Sequence, residues 1–259
     1  MRSKKTYIII LVVLAVYFLV FFLTLGRENL KQEKYSTTII VGNSTIWNYS
    51  GKKWTHITNK STIKKLDWQI FDVYIDNEKL GKYYLWNDDQ WYLFDKNKNA
   101  VNYTGKLLAY KSNYEINVLQ YQEEEITDYS YINEVLTENN LPSTSTFTTS
   151  KQAIFDIDND GTDETLYVIS NVFADDYYPE NLFAIAFMVK DGEIQYLYKN
   201  ITSNTDYNVC KPYLNSIIDV NKDDKYEIIL SCGRISNQKP TDMLYKLEED
   251  GFKMIISNQ

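Results

Sequence analysis

Two acidic ladders 63 residues apart constrain this chain more than any other feature of its sequence. The first reads Asp156-Ile157-Asp158-Asn159-Asp160-Gly161-Thr162-Asp163-Glu164, and the second Asp219-Val220-Asn221-Lys222-Asp223-Asp224-Lys225-Tyr226-Glu227. Oxygen-bearing side chains stand at positions 1, 3, 5 and 9 of each. On an extended strand, side chains two apart share a face, so Asp156, Asp158 and Asp160 would repel one another. Curled around a hard cation, the same side chains become a ligand set, completed by the carbonyl at position 7, Thr162 or Lys225. Each ladder is entered from an apolar run (Ala153-Ile154-Phe155; Ser216-Ile217-Ile218) and left by another (Leu166-Tyr167-Val168-Ile169; Ile228-Ile229-Leu230). The loops therefore lie between strands.

Calcium suits such a loop because it accepts six to eight oxygens at loose geometry, whereas magnesium demands a tight octahedron. Gly161 allows the sharp turn, and Asp224 replaces it in the second ladder, where a positive φ is more tolerable for Asp than for most residues. An EF-hand would need a bidentate Glu at position 12, where Tyr167 and Leu230 stand instead. The ninth-position carboxylate followed directly by a β run resembles the FG-GAP or VCBS-type repeat, the integrin-α-like propeller blade with its Asp-x-Asp/Asn-x-Asp-Gly-x-x-Asp loop. The resemblance covers residues 151–259. It implies one calcium cage from Asp156, Asp158, Asp160, the Thr162 carbonyl and Glu164, and another from Asp219, Asn221, Asp223, the Lys225 carbonyl and Glu227. The implied ion is structural, neutralising carboxylates and fixing strand connections. Glu stands where the family usually has Asp, and there are two clear copies rather than the several of a closed propeller. A degenerate third ladder, Asp95-Lys96-Asn97-Lys98-Asn99, has Tyr103 at position 9 and is assigned no metal.

Residues 7–25 form an uncharged run of 19, nearly all apolar, which is the length of a membrane-spanning helix. Arg2, Lys4 and Lys5 precede it, so the positive-inside bias predicts a cytoplasmic N-terminus and an extracytoplasmic C-terminal part. The expectation is a single-pass, uncleaved anchor in the cell membrane. Beyond that run, 24 of the 27 basic residues face 35 acidic ones. Such an excess of acid is a poor match for nucleic acid, whose binding rests on Lys and Arg neutralising phosphates. Cys210 and Cys232 are the two cysteines, and in an oxidising setting a disulfide closing a loop of about 20 residues is the natural inference. With the lone His56 they offer no zinc set at metal spacing.

The rest of the pattern divides the chain into the anchor and its tip (1–26), a charged stalk (27–36), an aromatic-rich β domain ending in a short helix (37–142), and two blade-like repeats (143–259). Hairpins are predicted at Thr45 to Ile57 and at Lys82 to Phe94, each with Trp-Asn before its turn and Trp after it. Ile132, Val135 and Leu136 recur at helical spacing behind Asp128, and Pro142 closes a helix of about 10 residues. In each distal half, strand, acidic loop and strand are followed by a hairpin turning at Asp191-Gly192 or at Asp250-Gly251. The fold class expected is mainly β: an N-terminal transmembrane helix, then an antiparallel β ectodomain with two four-stranded blade-like units and one short helix.

No Gly-x-Ser-x-Gly elbow or phosphate-cradling Gly loop occurs, and His56, in a Trp- and Lys-rich hairpin, reads as a strand residue rather than a catalyst. Asp175-Asp176 and Glu123-Glu124-Glu125 are the carboxylate runs that could line a glycosidase cleft. The 23 Tyr and 5 Trp favour contact chemistry, because these rings bury apolar area while keeping a polar tip. The function expected is a membrane-anchored, calcium-stabilised β-repeat binding module for a cell-wall glycan or a surface protein. A structural subunit of an envelope complex is the alternative, and a cell-wall-active hydrolase the second.

Overall fold

The computed structural model describes residues 36–142, 147–172, 181–203, 210–234 and 241–258. Every strand pairing in it is antiparallel, and the strands form three open sheets. The first sheet has eight strands, numbered in chain order: β1 (Thr37–Val41), β2 (Thr45–Tyr49), β3 (Trp54–His56), β4 (Gln69–Ile75), β5 (Glu78–Asp88), β6 (Gln90–Phe94), β7 (Ala100–Val101) and β8 (Leu107–Ser112). Their order across the sheet is β3-β2-β1-β8-β4-β5-β6-β7. Next come β9 (Asn117–Leu119) and β10 (Glu123–Glu125), followed by β11 (Thr149–Phe155), β12 (Glu164–Ser170), β13 (Asn181–Lys190) and β14 (Glu193–Ser203). The last four are β15 (Cys210–Asp219), β16 (Glu227–Arg234), β17 (Thr241–Glu248) and β18 (Gly251–Ser257).

The two distal repeats each supply four consecutive strands, and each gains a fifth from the segment before them. β10 extends the sheet β10-β11-β12-β13-β14, and β9 extends the sheet β18-β17-β16-β15-β9. Lys106 and Tyr121 hold this crossing segment in place. The Lys106 ammonium reaches both Glu123 (2.9 Å) and the Leu214 carbonyl (2.8 Å), and the Tyr121 hydroxyl donates to the Asn215 carbonyl (3.0 Å).

The three sheets stack. The β15–β18 sheet is the middle layer, because its strands are apolar on both faces. Ile217, Ile228, Leu230 and Met243 pack with Phe155, Leu166, Val168 and Met188 of the β11–β14 sheet. Ile218, Ile229 and Leu244 pack with Ile39, Val41, Tyr74 and Leu108 of the eight-stranded sheet. Side chains alternate along a strand, so the neighbouring residues Ile228 and Ile229, both fully buried, serve different cores. Cys210 and Cys232 form a disulfide with their Cα atoms 5.3 Å apart, joining β15 to β16 within this middle layer.

A helix covers each outer sheet. α1 (Lys60–Lys64), not anticipated in the sequence, is capped by Asn59, whose Oδ1 accepts from the Ser61 and Thr62 N–H groups. Ile63 and Leu66 pack there against Phe71, Leu85 and Trp91 of the first sheet. α2 (Ser130–Glu138) lies where helical spacing predicted it and buries Ile132, Val135 and Leu136 against Ile169, Phe183 and Phe187. Asp128 still serves its start, accepting from the Ser130 N–H at 2.9 Å.

Two expectations are corrected. The membrane run 7–25 and the stalk to residue 35 lie outside the described residues, and among those described no helix is long and apolar enough to cross a membrane. The N-terminal transmembrane helix of the expected fold class, with the single-pass anchoring and extracytoplasmic placement drawn from it, is therefore not supported. The blade-like units are also not arranged as propeller blades. Their sheets stay open and lie face to face, since the apolar faces of β15–β18 are covered by two different sheets instead of by successive blades around an axis. The likeness between the two Trp-Asn hairpins does not extend to packing either, for Trp47 is fully buried and its counterpart Trp86 half-exposed.

Candidate metal site

The first ladder connects β11 to β12 and is pinned at both ends. Ile157 is fully buried in the core between the distal sheets, so the chain cannot leave the sheet until after it. Glu164, 1% exposed at the first position of β12, reaches back to accept from the Ile157 N–H at 2.9 Å. Between these points Asp156 accepts from the Asp160 (3.1 Å) and Gly161 (2.8 Å) N–H groups, and Asp160 from the Thr162 N–H (2.8 Å). Asn159 and Gly161 take the positive φ values (55° and 89°) that the curl requires.

The second ladder repeats this design. Val220 is fully buried, and its N–H donates to Glu227 at 3.1 Å. Lys222 and Asp224 take the positive φ values (57° and 61°), so Asp224 adopts the backbone of Gly161. Asp219 accepts from the Lys222 N–H (2.7 Å), Asn221 from the Asp223 N–H (3.0 Å), and Asp223 from the Lys225 N–H (3.1 Å). The loops lie side by side. Asn159 donates to the Asp224 carbonyl (2.6 Å) and the Tyr226 N–H to the Ile157 carbonyl (2.9 Å).

In the first loop, Asp156, Asp158 and Glu164 each present a carboxylate oxygen, and the three oxygens lie within 4.8 Å of one another. That cluster could hold a metal ion. Asp160 and Thr162 stand exposed at its rim. Among the described residues no second group of three His, Cys, Asp or Glu side chains converges in this way. In the second loop Asp219 and Glu227 are buried, while Asp223 and Lys225 are exposed and Asn221 lies between, donating to Asp223 at 3.0 Å.

Two lysines that the ladder spacing did not reveal enter these loops from the neighbouring strands. Lys190, the last residue of β13, places its ammonium 2.6 Å from Glu164 and 3.2 Å from both Asp158 and Asp160. Lys246 on β17 pairs with Asp223 at 2.6 Å. Burial works against the Lys190 ammonium, but its hydrogen bonds to Glu164, Asp160 and Asp158 outweigh it and hold its pKa above the ordinary lysine value. The Thr162 N–H and then Lys190 hold Asp160 below the usual carboxylate range. Burial pushes Glu227 up to about 8, opposed by the Val220 N–H and by Lys246, and it raises Asp219 in the same direction. The signal for the lysines was cross-strand register rather than spacing. They stand 56 residues apart, out of step with the ladders.

Other residues singled out in the sequence go elsewhere. Asp95 makes a self-contained turn, accepting from the Asn97 and Asn99 N–H groups, both at 2.8 Å. His56 sits half-buried on the edge strand β3 opposite Trp47, and burial lowers its pKa. Glu123, Glu124 and Glu125 form the exposed edge strand β10, where Glu125 pairs with Lys151. Asp175 and Asp176 lie outside the described residues.

Half of one face of the first sheet is aromatic and apolar and is left uncovered by the other described residues. Ile70, Tyr84 and Phe94 stand in one row across β4, β5 and β6, and Trp86 stands opposite Tyr92 in the next. The Trp86 and Tyr92 ring centroids are 5.6 Å apart, and those of Trp68 and Phe94 4.8 Å. Trp68 is 44% exposed, Ile70 47% and Tyr92 37%. The middle layer covers the other half of this face, at Ile39, Tyr74 and Leu108. Compared with protein-family models, with curated proteins and with solved structures, the chain matches none.

Proposed function

We propose that this chain is a calcium-stabilised β-repeat binding module whose contact surface is the aromatic face of β4, β5 and β6, and whose ligand is a glycan chain. The observation that carries the reading is the Trp86–Tyr92 pair beside the Trp68–Phe94 pair on the half of a sheet face that no other described layer covers. Flat aromatic rings with polar tips gain contact area at little entropic cost and suit the apolar faces of sugar rings. Asp72 and Lys82, opposite each other one step beyond the Ile70–Tyr84 side of their strands and bonded at 2.7 Å, supply polar groups for hydroxyls.

In this reading the acidic loops are FG-GAP-like calcium loops that stiffen the distal sheets rather than touch the ligand. Asp156, Asp158, Asp160 and Glu164 offer oxygen donors alone, which suits a hard cation. Binding of the full chain to soluble polysaccharides, followed by tryptophan fluorescence and calorimetry, tests the contact face. Trp86→Ala and Tyr92→Ala should each weaken binding at least tenfold while leaving the unfolding midpoint nearly unchanged. Equal binding by these variants and the unaltered chain would remove the aromatic face from the reading.

A further inference from the structure

The carboxylate cage of the first loop already contains a cation, and that cation is tethered to the chain. The Lys190 ammonium lies 2.6 Å from Glu164 and 3.2 Å from Asp158, and these two carboxylates belong to the trio with Asp156 that could hold a metal. Calcium draws its oxygens to about 2.3–2.6 Å, whereas a charge-assisted N–H···O bond settles near 2.7–2.9 Å. One set of oxygens cannot serve both at once, and two cations a few ångströms apart in a half-buried site repel strongly.

The placement follows from the sheets. Glu227 pairs across β16 and β17 with Lys246, and Glu164 stands one step beyond the Thr165–Val189 pair of β12 and β13, which brings Lys190 opposite it. Each repeat thus places a lysine across the ladder from its own ninth-position glutamate. The two are not equivalent, for Lys190 engages the buried Glu164, whereas Lys246 pairs with the more exposed Asp223.

Resting on the calcium reading above, we propose that Lys190 is a built-in competitor for the first loop's ion. The loop exchanges between a lysine-locked state and an ion-bound state in which the ammonium has swung out to solvent. The lysine keeps the loop folded when calcium is scarce and raises the concentration at which the ion takes over.

Calcium titration by calorimetry and thermal unfolding in EDTA and in calcium, on the full chain, test this with Lys190→Met, Lys190→Gln and Lys190→Arg. Lys190→Met and Lys190→Gln should gain at least tenfold in affinity at one site, and adding Asp158→Asn should abolish that gain. Both should be less stable than the unaltered chain in EDTA and recover in calcium, whereas Lys190→Arg, which keeps the charge, should bind like the unaltered chain. Unchanged affinity, with the same loss of stability in EDTA and in calcium, would make Lys190 a plain structural ion pair and overturn the proposal while leaving the calcium reading standing. No calcium binding by the unaltered chain or by any variant would end the calcium reading and this proposal with it.

Discussion

The Thr45 hydroxyl on β2 donates to a carboxylate oxygen of Asp242 on β17, a residue 197 positions further along the chain. The other Asp242 oxygen accepts from the Ser231 hydroxyl, and its N–H donates to Asn258 at 2.9 Å. This buried network ties the first sheet to the middle layer beside the apolar packing of Ile39, Val41 and Leu108 against Ile218, Ile229 and Leu244. A carboxylate there is held by geometry at the expense of solvation.

Burial lifts the Asp242 pKa from 3.8 to about 6, with the Ser231 and Thr45 hydroxyls opposing the rise. A carboxyl whose folded pKa lies above its unfolded one favours folding most when protonated. Its contribution is complete below about pH 4 and is lost as the pH climbs through 6. The shift corresponds to roughly 3 kcal/mol at 1.36 kcal/mol per pH unit. Urea unfolding at a series of pH values should therefore show the stability difference between the unaltered chain and Asp242→Asn changing by about this amount between pH 4 and pH 7, with the unaltered chain losing ground as the pH rises.

Removal of calcium should lower the thermal midpoint of the chain, and a hundredfold excess of calcium over its Kd should add about 2.7 kcal/mol per occupied site. Asp156→Asn and Glu164→Gln should blunt the response to calcium. Scans with EDTA and with calcium decide it, and coincident midpoints would show that the first loop takes no ion.

Ile228 and Ile229 are adjacent and both fully buried, yet they pack against different sheets. Each truncation to Ala should cost about 2–5 kcal/mol through lost burial and the cavity left behind. Met254→Ala, at a position 51% exposed, should stay within about 0.5 kcal/mol. Denaturant midpoints would check all three, and a small effect at Ile229 alone would show the interface with the first sheet to be loose.

Reduction of the Cys210–Cys232 bridge, or Cys232→Ser paired with Cys210→Ser, should destabilise the chain by about 3 kcal/mol. That is the loop-closure entropy returned to the unfolded state for a separation of 22 residues. Unfolding with and without reductant measures it.

Local chemistry was legible in the sequence wherever a few neighbouring residues decide the outcome. The positive φ at Gly161 and at Asp224, the hairpin turn at Asp191-Gly192, the helix burying Ile132, Val135 and Leu136, and the two strand-bounded ladders are all of this kind. Strand alternation tells a chain which side chains share a face, but it does not say which sheet will cover that face. For that reason Ile228 and Ile229 could be read as strand residues and not as members of two cores. The joining of β9 and β10 to the distal sheets, and the stacking of open sheets where a blade arrangement was expected, follow from packing between segments far apart in sequence. Lys190 and Lys246 were hidden for a related reason. They come to stand opposite Glu164 and Glu227 through antiparallel register, which depends on how the chain returns after β12 and β16, so their own spacing departs from the 63-residue repeat. The ladders fixed where carboxylates would gather, and only the sheets decided which cation each would find beside it.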